Sequence, residues 1–187
     1  MLNYHSPINK NKSYSGLTIK EVSPIMKLNL RGKNRDFLST IGKNINMILP
    51  IEANTSSSSD KYTSLWLSPD EWMIVTNKTI DNENNEYEIE NILYNKISKS
   101  NLGAVTDVSD QFVLINLNGE KVFDLLSTGS PFNFSHFRTK KGVVVQTLLN
   151  QIDIIIHHKE INDINLFVRR SFSEHLMSWI DDAASRL

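Results

Sequence analysis

Apolar and polar positions along the chain fall into one motif that occurs twice. Val113 to Gly129, VLINLNGEKVFDLLSTG, reads as a buried strand, a glycine turn and a short amphipathic helix. Leu28 to Gly42, LNLRGKNRDFLSTIG, aligns with Ile115 to Gly129 at a constant offset, matching Asn29 with Asn116, Leu30 with Leu117, Gly32 with Gly119, Leu38 with Leu125 and Gly42 with Gly129. This internal echo predicts a body built from two related halves.

The flanking segments complete each half. Ile25 to Arg31 predicts a strand that Gly32 ends; the helix that follows, Lys33 to about Ile41, places Phe37, Leu38 and Ile41 on one face, with Gly42 as its C′ residue. NTSSSSD, residues 54–60, is too polar to pack and predicts a loop with weak or absent order. Tyr62 to Leu67 and Trp72 to Thr76 predict a hairpin closed by a type I turn at Ser68-Pro69-Asp70-Glu71, since the β-prone Trp-Met-Ile-Val-Thr that follows outweighs the capping-box reading of the same four residues. A polar loop, DNENNE, precedes a helix from Glu86 to about Lys99 that carries Ile89, Ile92, Leu93 and Ile97 at helical spacing.

The second half repeats this order. Leu102 to Asp107 and Gln111 to Leu117 predict strands around a Val108-Ser109-Asp110 turn, and Glu120 to Ser127 a helix whose buried stripe is Val122, Phe123, Leu125 and Leu126. Pro131 to Phe137 is an irregular crossing with three Phe. Gly142 to Leu149 and Ile152 to His158 predict a hairpin echoing residues 62–76, and Ile164 to Val168 a last strand. The final helix is expected from Ser171, with Ser171 and Glu174 as a capping box and Phe172, Leu176, Trp179, Ile180, Ala183 and Leu187 in register. The expected fold class is therefore α+β: two pseudo-repeated strand-helix-strand-strand-helix halves, about 21–100 and 101–187, with mainly antiparallel sheet and helices on one face. The polar start predicts a flexible N-terminal arm over 1–20.

At 187 residues, 40% apolar and 22% charged, the composition is that of a globular domain with a proper core. A formal charge of −1 argues against a dedicated nucleic-acid binder. Residues 1–50 nevertheless carry eight Lys or Arg against Glu21 and Asp36, while 51–90 carry nine acids against Lys61 and Lys78. Two solvated faces would explain this; so would a charged docking surface for a partner. The absence of cysteine removes disulfides, thiolate nucleophiles and Cys-type zinc sites, and fits a cytoplasmic location. Met1 to Gly16 has no apolar signal core and no later run reaches the roughly 18 apolar residues of a membrane span, so neither standard secretion nor membrane insertion is expected.

Candidate chemistry is sparse. Gly32 and Gly119 lack the companions that a phosphate cradle needs. His157 and His158 are adjacent on a strand and so point to opposite faces, which predicts surface or turn histidines and not a shared metal site; His136 and His175 have no ligand-spaced neighbours and read likewise. Asp107 and Asp110 read as a DVSD turn bonding its own backbone, not as an acid and base pair. Trp66 and Trp72 read as core and not as a base-stacking platform. Of Arg169 and Arg170, one is expected to point outward, where an anion or subunit role is open to it. No nucleophile with a positioned base is visible, so no catalytic, cofactor-binding or metal residue is assigned.

LWLSPDEWMIV (65–75), DVSDQFVLINLNGEKVFDLLSTGSPFNFSHF (107–137), the strand containing Gly142, Gln146 and Thr147, and VRRSFSEHLMSWIDDAA (168–184), in that order, resemble the gamma subunit of heterotetrameric sarcosine oxidase. The resemblance implies the fold of the folate-binding aminomethyltransferase group. It also implies a non-catalytic subunit in a complex that oxidatively demethylates sarcosine to glycine, passes the one-carbon unit to tetrahydrofolate and releases hydrogen peroxide. Implied partners are the alpha, beta and delta subunits, with FAD, FMN, NAD, tetrahydrofolate and zinc held there and no cofactor in this chain. An isolated subunit of this kind is expected to expose an apolar patch. Lys141-Gly142-Val143-Val144-Val145-Gln146 also resembles the Lys-Gly-Cys…Gln stretch of folate-binding proteins that assist iron–sulfur enzyme maturation, with Val143 in place of the cysteine. The alternatives are a stand-alone folate-binding protein or aminomethyltransferase, and a maturation or scaffolding factor of the same fold group.

Overall fold

The repeated strand–glycine–helix motif forms twice, once in each of two units. A computed structural model describes residues 5–8, 11–22, 24–78 and 87–187. In chain order the elements are β1 (Lys12–Tyr14), β2 (Leu17–Glu21), β3 (Lys27–Arg31), α1 (Arg35–Ile45), β4 (Ser56–Ser58), β5 (Tyr62–Ser68), β6 (Glu71–Thr76), α2 (Tyr87–Leu93), β7 (Ala104–Asp107), β8 (Phe112–Asn118), α3 (Val122–Gly129), β9 (Val143–Leu149), β10 (Ile152–Glu160), β11 (Asp163–Arg169) and α4 (Arg170–Ser185). A π-helical turn over Tyr94–Ser98 continues α2. The expected DNENNE loop and Glu86 lie outside the described residues.

One unit comprises residues 24–110 and the other residues 1–23 with 111–187. The first carries a five-stranded sheet in the order β4-β5-β6-β3-β7, the second a six-stranded sheet in the order β1-β2-β8-β11-β10-β9. Every pairing is antiparallel. Read from opposite ends, the two orders correspond. The central strands β3 and β8 match, β6 and β5 match β11 and β10, and β4 matches β9. The hairpin equivalent to residues 62–76 is thus β10–β11, not the β9–β10 pair expected from sequence, although β9 and β10 do pair. The strand that precedes each central strand belongs to the other sheet: β2, just before β3, pairs with β8, while β7, just before β8, pairs with β3.

In the second unit the face of β2, β8, β11 and β10 toward α3 and α4 is mainly apolar, with Ile19, Ile115, Ile156 and Leu166 at zero exposure and the His158 imidazole buried near the end of β10. α3 contributes Val122, Phe123, Leu125 and Leu126, and α4 contributes Leu176, Met177 and Ile180, at the 3–4-residue spacing that puts them on one helical face. From the crossing after α3, Phe137 meets Phe123 and Phe134 edge-on, and Phe134 packs against Phe123 at a tilt. In the first unit, Leu28, Leu30, Trp72 and Ile74 pack with Phe37 and Ile41 of α1 and with Leu93 and Ile97. The Trp72 indole N–H donates to the Pro50 carbonyl at 2.7 Å, so the buried ring leaves no donor unmet.

Several local expectations give way to tertiary context. The arm expected over 1–20 is, from Lys12, two paired strands: β2 buries Leu17 and Ile19 beside β8, and the Tyr14 hydroxyl hydrogen-bonds the Asp181 carboxylate of α4, pushing the phenol up to about 12. The serine-rich stretch forms β4. Its hydroxyls supply the missing order, Ser57 Oγ donating to the Ile48 carbonyl at 2.7 Å and Ser58 Oγ lying 3.0 Å from Thr63 Oγ1, on an edge strand where no apolar face is required. α1 passes through Gly42 to end at Asn46, whose left-handed φ of 50° the short amide side chain tolerates. Gly42 is needed inside the helix because a Cβ there would stand 2.9 Å from the Met47 carbonyl. No capping box forms at Ser171. β11 runs straight into α4, the Arg170 N–H donates to the Gln111 carbonyl at 2.8 Å, and Phe172 is half exposed.

His157 and His158 point to opposite faces of β10, yet both are buried, contrary to the surface reading. The His158 imidazole stacks on Phe137 at 5.1 Å and meets Phe123 edge-on at 5.3 Å. Its Nδ1 lies 2.6 Å from the Lys140 carbonyl, which fixes the proton on Nδ1. Nε2 then faces aromatic carbon with no hydrogen-bond partner among the described residues. Burial, and secondarily the neighbouring His158 and Lys159, push the His157 imidazole down to about 4.

Two outcomes are expected. Ile19→Ala lowers unfolding free energy by about 2–4 kcal/mol, the cost of a cavity in a closed core, where a residue of a free arm would change it by less than about 0.5 kcal/mol; urea titration decides. His157 is neutral when folded but gains a proton on unfolding below its ordinary value near 6.5, so stability is lost as pH falls from about 6.5 toward 4, by up to about 1.4 kcal/mol per pH unit. His157→Gln therefore shows a shallower fall than the parent across that window, and equal slopes by denaturant midpoint would refute the assignment.

Candidate functional site

The residues with chemistry to offer separate by face and unit. Asp107 and Ser109 form the turn the sequence predicts, Asp107 Oδ1 accepting the Ser109 N–H at 2.8 Å and its hydroxyl at 2.5 Å. Ser109 in turn accepts the Lys27 N–H at 2.9 Å. Lys27, a strand residue that alternation would place outward, is buried, and its ammonium donates to the Ser109 and Ile25 carbonyls at 2.9 and 3.2 Å. This turn is structural: its carboxylate is committed to backbone and hydroxyl donors. Trp72 is core and Trp66 is partly buried against the same cluster. His136 and His175 are exposed. Among the described residues no three His, Asp or Glu side chains come together as a metal-binding group. No helix among them is long and apolar enough to cross a membrane.

The two arginines part company, as the sequence reading requires. The Arg170 guanidinium donates to the His5 carbonyl at 2.6 Å. Arg169, opposite Phe112, ends β11 and turns into a cleft of about 380 Å³ on the sheet of the second unit. Asp153, opposite Leu148, and Gln146, opposite Ile155, share that cleft, so one cation, one carboxylate and one amide stand over an apolar floor of Phe112, Leu148 and Ile155. Arg169 forms no ion pair among the described residues. A planar guanidinium in this position suits a carboxylate of modest size. Val143, where the iron–sulfur maturation proteins have cysteine, begins β9 and packs partly against the core.

The first unit carries a different surface. α1 is amphipathic: Phe37, Ile41 and Ile45 face inward, and Arg35, Ser39 and Lys43 form an outer stripe one turn apart. The chain leaving α1 alternates sharply. Met47 and Leu49 turn into the core, while Ile48 and Ile51 project with 87% and 80% of their surface exposed. Between this segment and the helix lies an open groove of about 790 Å³ with Leu38 and Met47 in its wall and Arg35 and Lys43 on its rim. The projecting segment is held by its own backbone: the Met47 N–H donates to the Gly42 carbonyl, Ser57 Oγ to the Ile48 carbonyl and Trp72 Nε1 to the Pro50 carbonyl. Sequence reasoning missed this surface, because Met47, Ile48 and Leu49 are all apolar and their pattern does not mark which of them faces outward.

No curated protein matches the sequence. The fold is similar to a chain of the heterotetrameric sarcosine oxidase from Corynebacterium sp. U-96, solved in complex with pyrrole 2-carboxylate, at a TM-score of 0.80 and 21% identity over 91% of this chain and 84% of that one. It is also similar to the glycine cleavage system aminomethyltransferase T from Bartonella henselae, at a TM-score of 0.65 and 14% identity, covering 88% of this chain but 45% of that one. These likenesses establish the α+β fold of the aminomethyltransferase group. The model of the sarcosine oxidase, gamma subunit family matches residues 31–186, taking in the glycine and helix of the first copy of the motif and the whole of the second, and the chain belongs to that family.

Proposed function

We propose that this chain is the non-catalytic gamma subunit of a cytoplasmic heterotetrameric sarcosine oxidase and that it works by association. In this reading the complex demethylates sarcosine oxidatively to glycine, transfers the one-carbon unit to tetrahydrofolate and releases hydrogen peroxide. FAD, FMN, NAD, tetrahydrofolate and zinc are held by the alpha, beta and delta subunits.

The observation that carries the proposal is the family match over residues 31–186. The surface beside α1 supports it. A monomeric protein scatters exposed apolar residues singly, whereas this chain fixes two isoleucines at 80% exposure or more within four residues, next to a groove with apolar walls. Such a surface is what a subunit presents when its partners are absent.

Co-expression with the alpha, beta and delta subunits, followed by size-exclusion chromatography, tests the reading. The chain is expected to elute with flavin absorbance at the mass of the tetramer. Elution alone, together with tetrahydrofolate binding by the isolated chain, would replace the proposal with that of a stand-alone folate-binding protein.

A further inference from the structure

The proposed assembly role leaves open which face of the chain makes contact and what it contacts. From the groove beside α1 we infer that this face docks an apolar ridge bordered by carboxylates on another subunit of the oxidase. The inference rests on the subunit reading above.

The groove has the features of a prepared interface. Leu38 and Met47 give it an apolar wall, and Ile48 and Ile51 stand at its lip almost fully in water. The lip does not need to be ordered on binding, because hydrogen bonds of 3.1, 2.7 and 2.7 Å already hold the backbone at Met47, Ile48 and Pro50. Preorganisation of this kind lowers the entropic cost of association. Aliphatic side chains that project from a pinned backbone into water contribute nothing to the fold of the chain that carries them. They gain their free energy only when a second surface covers them.

Charge narrows the choice of occupant. Arg35 and Lys43 flank the groove and no carboxylate lines it. Neither cation is engaged in an ion pair among the described residues. A second copy of this chain is a poor fit: a two-fold interface places the same patch on both sides, so the cationic stripe would meet itself. A ridge of apolar side chains with Asp or Glu on its flanks meets both requirements. The carboxylates would steer the encounter and fix its register, and the aliphatic contact would hold the complex.

The test uses the full chain, tagged and co-expressed with the alpha, beta and delta subunits. Ile48→Asp combined with Ile51→Asp is expected to lower the fraction of chain recovered with flavin at least about tenfold, the change expected from losing a well-buried contact. The isolated double variant should keep the parent's thermal midpoint, because both side chains are in water there. Arg35→Gln with Lys43→Gln is expected to slow association by about tenfold at low salt and to flatten its dependence on ionic strength, with little change in dissociation rate. If the parent chain assembles and the isoleucine variant assembles equally well, the docking face lies elsewhere and the inference falls while the subunit reading stands. If the isolated chain dimerises and the isoleucine variant is monomeric, the groove binds a second copy and the inference falls. Failure of the parent itself to assemble would remove the subunit reading and this inference with it.

Discussion

Both sheets depend on one strand that must be paired along both edges. β8 lies between β2 and β11, and β3 lies between β6 and β7. Neighbours on both edges engage the backbone of the paired residues, and the side chains of Leu28, Leu30, Ile115 and Leu117 are wholly buried. The end of the central strand is equally constrained. Gly119 adopts a φ of 135°, its N–H donates to the Asn162 carbonyl at 2.9 Å, and a Cβ on it would stand 2.2 Å from the Gly16 carbonyl. Gly32, its counterpart in the repeat, makes the equivalent hydrogen bond to the Asp70 carbonyl at 3.0 Å, but is confined by the Phe37 ring. The two glycines thus recur for different physical reasons at the same place in the fold: one admits a backbone conformation, the other an aromatic side chain.

What could be read from the sequence follows from this local character. The repeated strand, the glycine, the amphipathic helix and the Pro69 hairpin are each encoded within about 15 residues, so period and turn chemistry reveal them. Partner choice is not local. Nothing in LTIKE says that β2 pairs with β8, about a hundred residues away, and a short polar prefix reads as an arm until that partner is known. The serine strand was hidden because its order comes from hydroxyl bonds and not from apolar burial. His157 and His158 were hidden for the converse reason: a neutral imidazole packs as a small aromatic ring, and its polarity suggested the surface.

The functional surface shows a similar division. The apolar run Met47 to Ile51 is divided, with Met47 and Leu49 buried and Ile48 and Ile51 exposed. Exposure of Ile48 and Ile51 follows from the hydrogen bonds that hold the segment extended along α1, bonds donated by Ser57 and Trp72 from later in the chain. The basic excess of the first fifty residues was legible from composition, but its meaning depends on geometry. Lys27 spends its charge on two buried carbonyls and Arg31 pairs with Glu71 at 3.3 Å, while Arg35 and Lys43 stay available at the groove.

The exchange of leading strands between the two sheets sets a timetable for synthesis. Glu21 ends β2 and Phe112 begins β8, so the ribosome adds about 90 residues between a strand and its partner, which takes roughly 5–18 s at 5–20 residues per second. Through that interval Leu17 and Ile19 have no sheet to join. The unit of residues 24–110 is continuous in sequence and can close around β7 as soon as Asp107 emerges. The other unit must hold its first strands in reserve until the second copy of the motif appears. Until then Leu17 and Ile19 are apolar side chains without their core, an exposure that ends when β8 supplies the partner edge.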